Sequence, residues 1–336
     1  MRNLLLDCTL RDGAHVNNGA FGQVVANTIV SKLVQSSVDL IEVGFIEPTR
    51  STSSNTFFLT TDDCQKFFRT TEKKKSKIGV MLRCDRCPLD AINENEFIDF
   101  IRIAFYPDQT HQVMKYMSRC KEMGYQVFTN LIGVTNYTEE VIHSVIKEFQ
   151  ISDVDGMSVV DTYGALDKTS VNRLISIFDT EMPRKSAIGL HLHENLSSSM
   201  LLVDQFNSYD TPRTKIFDAS LAGMGRIPGN LPIELIASYL NKHGGTDYQI
   251  EHLYDAVTLI SKFKSVNSWG YSAIYSYAAT FGLDRTYPEY FNGLGFSERQ
   301  VFQCLRKIKE DNKDLRFNEQ KALNALWTLG IKNQNE

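Results

Sequence analysis

Apolar residues recur along this chain in short, largely β-branched runs: Leu4–Leu10, Leu40–Ile46, Ile78–Leu82, Ile101–Phe105, Val127–Val134, Met157–Asp161, Ile188–His193 and Ile216–Leu221. Runs of this length, apolar throughout and bounded by turn-forming residues, read as strands buried on both faces. Between them the apolar positions fall at helical spacing, over Val24–Val34, Val113–Met123, Glu139–Phe149, Ser170–Phe178, Met200–Phe206 and Ile233–Leu240. Strands alternating with helices imply parallel pairing through right-handed crossovers. Eight such units predict an α/β fold of the (β/α)8, or TIM-barrel, type. The second and third connections are the least regular, and the polar stretch 49–77 contains a Lys73–Lys75 run that reads as a solvated turn.

The strand cadence stops at "NKHGGTDYQ" (Asn241–Gln249), which reads as a linker from its glycine pair and polarity. Beyond it, Glu251–Lys264, Tyr271–Phe281, Ser297–Asp311 and Glu319–Leu329 carry helical patterns, with Ser297 placed as an N-cap. The expected organisation is a catalytic barrel over 1–245 and a helical C-terminal domain over 250–336.

Composition narrows the class. A net charge of −4 over 336 residues offers no basic face for nucleic acid or an anionic membrane. The apolar run after Met1-Arg2-Asn3 ends at Asp7, too short for a secretory core, and no run approaches the roughly 20 apolar residues of a membrane span. Six cysteines in a chain this long do not suggest a disulfide framework, so a cytoplasmic enzyme is expected. Cys84 and Cys87 form a CxxC, but a zinc site needs a second ligand pair and none stands out. The glycines of "GMGRIPGN" are spaced GxGxxxG, off the dinucleotide fingerprint.

The candidate chemistry begins in "LLLDCTLRDGAHVNNG" (residues 4–19), where an apolar run passes straight into Asp7, Arg11, Asp12 and His15. Burying charge is unfavourable unless the groups pair or bind a metal. Barrel active sites lie at the C-terminal ends of the strands, so polar residues far apart in sequence meet there. The first strand delivers Arg11, Asp12 and His15, the sixth Asp161 and Thr162, the seventh His191 and His193, and the eighth Asp218, Ser220 and Asn230. Two positions apart on a strand, His191 and His193 point to one face while Leu190 and Leu192 point to the other. Two neutral imidazoles and the Asp12 carboxylate make a divalent-metal site with open positions. The same ligand set describes the facial triad of non-haem iron oxygenases, but an adjoining cation, Arg11, suits a developing oxyanion better than oxygen activation.

Four segments together, the D-x-TLRDG at 7–13, DTYG at 161–164, HLHEN at 191–195 and GMGRIPGN at 223–230, resemble the DRE-TIM metallolyase superfamily, which includes isopropylmalate and homocitrate synthases, HMG-CoA lyase and 4-hydroxy-2-oxovalerate aldolase. Within it, His15 after RDG, "DASLAGMG" and "WGYSAIYSY" (Trp269–Tyr277) are similar to the aldolase branch. "IEVGF" (Ile41–Phe45) looks more like the synthases, and the loop 223–229 lacks the cysteine that HMG-CoA lyase places there.

The resemblance implies a divalent ion, manganese or magnesium first and zinc or cobalt as alternatives, held by Asp12, His191 and His193, with water or Asn230 completing the shell. The implied reaction is cleavage of a 4-hydroxy-2-oxo acid to pyruvate and an aldehyde, or the reverse condensation. Arg11 stabilises the enolate, His15 takes the 4-hydroxyl proton and Thr162 holds the substrate carboxylate. Tyr271, as a catalytic group, and Tyr275, as a substrate contact, are the candidates brought over the barrel mouth. The alternative is an acyl-CoA-dependent Claisen condensation with a 2-oxo acid. An aldehyde dehydrogenase partner, or a homo-oligomer through the helical domain, is the expected association.

Overall fold

A computed structural model of the chain describes residues 2–68, 72–150, 152–266, 268–312 and 315–331. Eight parallel strands close into a barrel: β1 (Asn3–Asp7), β2 (Leu40–Ile46), β3 (Lys77–Arg83), β4 (Phe100–Phe105), β5 (Gln126–Leu131), β6 (Gly156–Val160), β7 (Ala187–His191) and β8 (Lys215–Ala219). Closure comes from β1, which pairs with β8 on one side and with β2 on the other, in register Leu6↔Leu40. A two-residue strand, Phe57–Phe58, adds to the top of β2. The (β/α)8 architecture expected from the pattern is therefore present.

Helices of ordinary length cover most of the barrel, but the two irregular connections depart from the repeat. One holds only the short helix Thr61–Phe67, and the other a single 3-10 turn, Leu89–Ala91. No described helix is long and apolar enough to cross a membrane.

The barrel interior is layered, because every second strand residue points inward. Its floor is an apolar cluster of Leu6, Leu40, Phe100, Phe128, Ala187 and Ile216. Gly79 is required here: a Cβ at that position would stand 2.2 Å from the Phe100 ring. Above the floor lies a charged layer. Arg102 Nη1 donates to Glu42 at 3.2 Å, Nη2 to Ser158 at 3.2 Å and to Asp218, and Nε to Asn130 at 3.2 Å. The guanidinium is 1% exposed and fully satisfied, which makes it tolerable inside the barrel.

The helix Ile250–Val266 packs on Gln23–Gln35, with Phe263 edge-on to Phe21, and joins the barrel's own core. A separate core runs from Ile274 to Leu326. The two cores thus divide after Trp269, not at the polar stretch 241–249, because an apolar face on the intervening helix is buried against the barrel. The second unit contains a helix absent from the sequence reading, Thr286–Gly293. It docks over the C-terminal ends of the strands: Trp269 Nε1 donates to the Ala222 carbonyl at 2.9 Å, and Arg226 pairs with Glu289.

Candidate metal centre and substrate pocket

After β1 the chain makes one helical turn, Thr9–Asp12, instead of continuing as a strand. Asp7 fixes the turn by accepting from Thr9 N at 3.0 Å and from Thr9 Oγ1 at 2.7 Å, and Thr9 Oγ1 in turn accepts from Leu221 N. The turn carries Arg11 and Asp12 over the barrel mouth. That is why an apolar run ends in charge: Asp7 builds the corner, and the next two charged groups face the cavity.

Asp12 Oδ2 stands 3.9 Å from His191 Nε2 and 3.8 Å from His193 Nε2, and the three ligand atoms lie within 4.8 Å of one another. All three residues are buried. His193 Nδ1 lies 2.8 Å from the Asp161 carbonyl, which accepts its proton and leaves the Nε2 lone pair facing Asp12. Buried as it is, that Nε2 has no hydrogen-bond partner, and neither has Asn230 Oδ1 beside it. Burial, with Arg285 and His191 adding, outweighs Asp12 and pushes the His193 pKa down to about 4, so the ring is neutral at pH 7. His191 Nδ1 lies 3.1 Å from Asp218 Oδ2, a carboxylate behind a ligand imidazole.

These residues fit a divalent cation. Ligand bonds of about 2.0–2.2 Å to one centre bring donor atoms roughly 3–4 Å apart, close to the spacing here. Asn230 donates through Nδ2 to Asp12, and rotation of its amide would turn the orphaned Oδ1 toward the same spot.

Arg11 is gripped from two sides, by Glu42 at 2.8 Å on Nε and Asp12 at 3.0 Å on Nη1, which leaves Nη2 buried without a partner. Burial opposes the charges on both Asp12 and Arg11. Even so, Arg11 and the two imidazoles hold the Asp12 pKa well below 3.8, and Glu42 and Asp12 hold Arg11 firmly protonated.

His15 Nε2 is 3.8 Å from Asp12 Oδ1, its ring edge-on to Phe45 and its side chain 30% exposed. Burial and the guanidiniums of Arg285, Arg226 and Arg11 together outweigh Asp12 and hold its pKa well below 6.5. Thr162 lines the same cavity and accepts from Gly133 N at 2.7 Å, leaving its own proton to donate.

The structure does not bring every candidate to the pocket. Tyr271 is 70% exposed and lines no part of it, because the chain reaches it at an outward-facing glycine bend before the helix Ala273–Thr280. Tyr275 is buried in the second core and is not among the residues that line the cavity. Tyr106 and Tyr163 line the pocket instead. Sequence reading also passed over Glu42, Arg102 and Arg285. The first two could have been found as lone charges inside apolar strand runs, each demanding a buried partner. Cys84 and Cys87 are buried and free, and the Asp12 triad is the metal-competent group among the described residues.

The cavity over this centre holds about 200 Å³ and is roofed by the helical unit. That is below the roughly 300–1,000 Å³ of drug-sized ligand pockets, and suits a small acid.

No protein-family model matches the chain. A 4-hydroxy-2-oxovalerate aldolase from Thermomicrobium roseum is 26% identical over 83% of this chain and 83% of its own. An oxaloacetate decarboxylase from Mycobacterium tuberculosis is 22% identical, covering 80% of this chain and 79% of its own. Among solved structures, the N-terminal domain of a provisionally named aldolase from Bacteroides vulgatus superposes with a TM-score of 0.75 at 24% identity, over 88% of this chain and 98% of that one. The chain is similar to members of the DRE-TIM metallolyase superfamily. Its relatives are named as lyases, and the buried Asp12–His191–His193 triad has the donor set to hold a divalent metal ion.

Proposed function

We propose that the chain is a divalent-metal-dependent aldolase that splits a 4-hydroxy-2-oxo acid into pyruvate and an aldehyde, or joins them. The observation that carries this reading is the meeting, in one small cavity, of the Asp12–His191–His193 triad with a buried, unpartnered Arg11 nitrogen and a neutral His15. Aldolases among the relatives support it.

When bound, the ion, manganese in our reading, supplies Lewis acidity at the substrate's 2-oxo oxygen and carboxylate. Arg11 donates from Nη2 to the same 2-oxo oxygen, where charge develops, and Glu42 and Asp12 hold its planar group fixed. Thr162 donates to the carboxylate. His15, neutral, accepts the 4-hydroxyl proton, the C3–C4 bond breaks to give the aldehyde, and its electron pair enters the pyruvate enolate. Protonation at C3 completes pyruvate. Tyr275 acts only by supporting the wall.

The Mycobacterium relative supports a second reading, in which the C3–C4 bond of oxaloacetate breaks to release carbon dioxide. It uses the same enolate and Arg11 but has no hydroxyl proton for His15 to take. A Claisen condensation would have to fit a thioester into the same small cavity. Free cysteines throughout are in keeping with a cytoplasmic setting, and an aldehyde dehydrogenase or a second copy of the chain would be the partner for the helical unit. The deciding experiment is pyruvate release from 4-hydroxy-2-oxo acids by the manganese-loaded protein, run beside oxaloacetate and beside acetyl-CoA with 2-oxo acids. Pyruvate from the hydroxy acids supports the aldolase; carbon dioxide alone, or free thiol, replaces it.

A further inference from the structure

Five guanidiniums line the cavity. Four are tied to carboxylates of the chain: Arg11 to Glu42 at 2.8 Å, Arg83 to Asp85 at 2.7 Å, Arg86 to Glu47 at 3.2 Å, and Arg226 to Glu289. Arg285 is the exception. It is only 7% exposed, and its Nε and Nη1 have no hydrogen-bond partner.

The nearest carboxylate in sequence does not serve it. Asp284 lines the same cavity, but its oxygens accept from Thr286 N at 2.9 Å and Phe317 N at 3.5 Å, which holds the loop. Arg226 stands close enough to repel Arg285. Burial and that repulsion pull its pKa down to about 10, so it still carries full charge at neutral pH. An unpaired buried cation destabilises the free protein, and a cavity that keeps one is built to receive an anion.

On the aldolase reading, which this inference extends, the triad, Arg11 and Thr162 take the 2-oxo acid end of the substrate. Arg285 enters from the helical roof, opens the helix Thr286–Gly293 and lines the same cavity. We propose that Arg285 is a specificity-determining residue that receives a second carboxylate at the far end, so that the preferred substrate is a dicarboxylic 4-hydroxy-2-oxo acid. The guanidinium fork suits a bidentate carboxylate. The small cavity argues against anything bulkier.

The test compares two five-carbon acids that differ only at C5: 2-oxoglutarate ends in a carboxylate and 2-oxovalerate in a methyl. Calorimetric titration of the manganese-loaded full-length protein is expected to show 2-oxoglutarate binding at least tenfold more tightly. Arg285→Gln removes that preference, and Arg285→Lys, keeping the charge but not the fork, retains part of it. Without ligand, Arg285→Gln unfolds at the same or a higher temperature than wild type, since it deletes an unpaired charge. Equal binding of the two acids, or a preference that survives Arg285→Gln, overturns the assignment. Should Arg285→Gln fail to fold, that result also counts against it, and Arg285→Lys then reads the preference in a folded chain. Pyruvate release from 4-hydroxy-2-oxoglutarate and 4-hydroxy-2-oxovalerate separates the two claims. Turnover of both at equal kcat/KM leaves the aldolase standing and sinks the role of Arg285. Arg285-dependent binding with no turnover of either does the reverse.

Discussion

Two arginines lie almost equally deep in this protein, one under the metal centre and one above it. Arg102 spans the barrel interior and bonds to two carboxylates, a hydroxyl and an amide. Arg285 comes down from the helical roof and finds no acceptor. The difference separates two uses of buried charge. Every nitrogen of the Arg102 guanidinium has a partner on the barrel strands, so it ties those strands together and lies, through Asp218, behind the His191 ring. Arg285 is a buried charge whose Nε and Nη1 have no hydrogen-bond partner among the described residues.

Between them stands Arg11, with two nitrogens committed and one free. On the proposed mechanism it is structural and catalytic at once, and the order of expected mutational effects follows this gradation.

The largest effect is expected at the bottom of the site. Arg102→Met removes the one guanidinium on the buried Asp218 and one of the two on Glu42, and should destabilise the fold by about 3–5 kcal/mol, read as a shifted midpoint in urea. A neutral result would mean that Arg102 does not hold these carboxylates as described. His15→Ala should lower aldol cleavage by roughly 10²–10⁴ while leaving oxaloacetate decarboxylation untouched; loss of both activities would assign His15 to the metal site itself. Arg11→Ala should lower kcat by about 10²–10³, with Arg11→Lys recovering little because a point charge does not reproduce the fork. Asp218→Asn, acting behind His191, should weaken metal affinity by about 10–100-fold, measured by competition with a chelator. Tyr271→Phe, on the exposed bend, should change nothing measurable in kcat/KM.

Much of this was readable from the residues alone. Each barrel strand is built on a short, mainly apolar run, and that pattern located all eight. The HxH at 191–193 declared its common face through strand alternation, but the helical turn after β1 that carries Asp12 over the mouth was not legible, because the apolar run continues to Leu10. The helix Thr286–Gly293 was missed because Pro288 sits within it and its polar, aromatic start masks the helical spacing. Arg285 was invisible for a different reason: its meaning depends on a missing partner, which only three dimensions show. The exposed position of Tyr271 could not be read, because an aromatic-rich segment says where rings are, not which way the chain turns before the helix.

The central claim is that Asp12, His191 and His193 share one cation, and metal binding tests it without any assumption about substrate. Chelator-stripped protein titrated with manganese should show one tight site per chain, abolished in Asp12→Ala and in His193→Ala, with both variants still folded by circular dichroism. Undiminished binding in those variants, or no tight site in the wild type, would contradict the account.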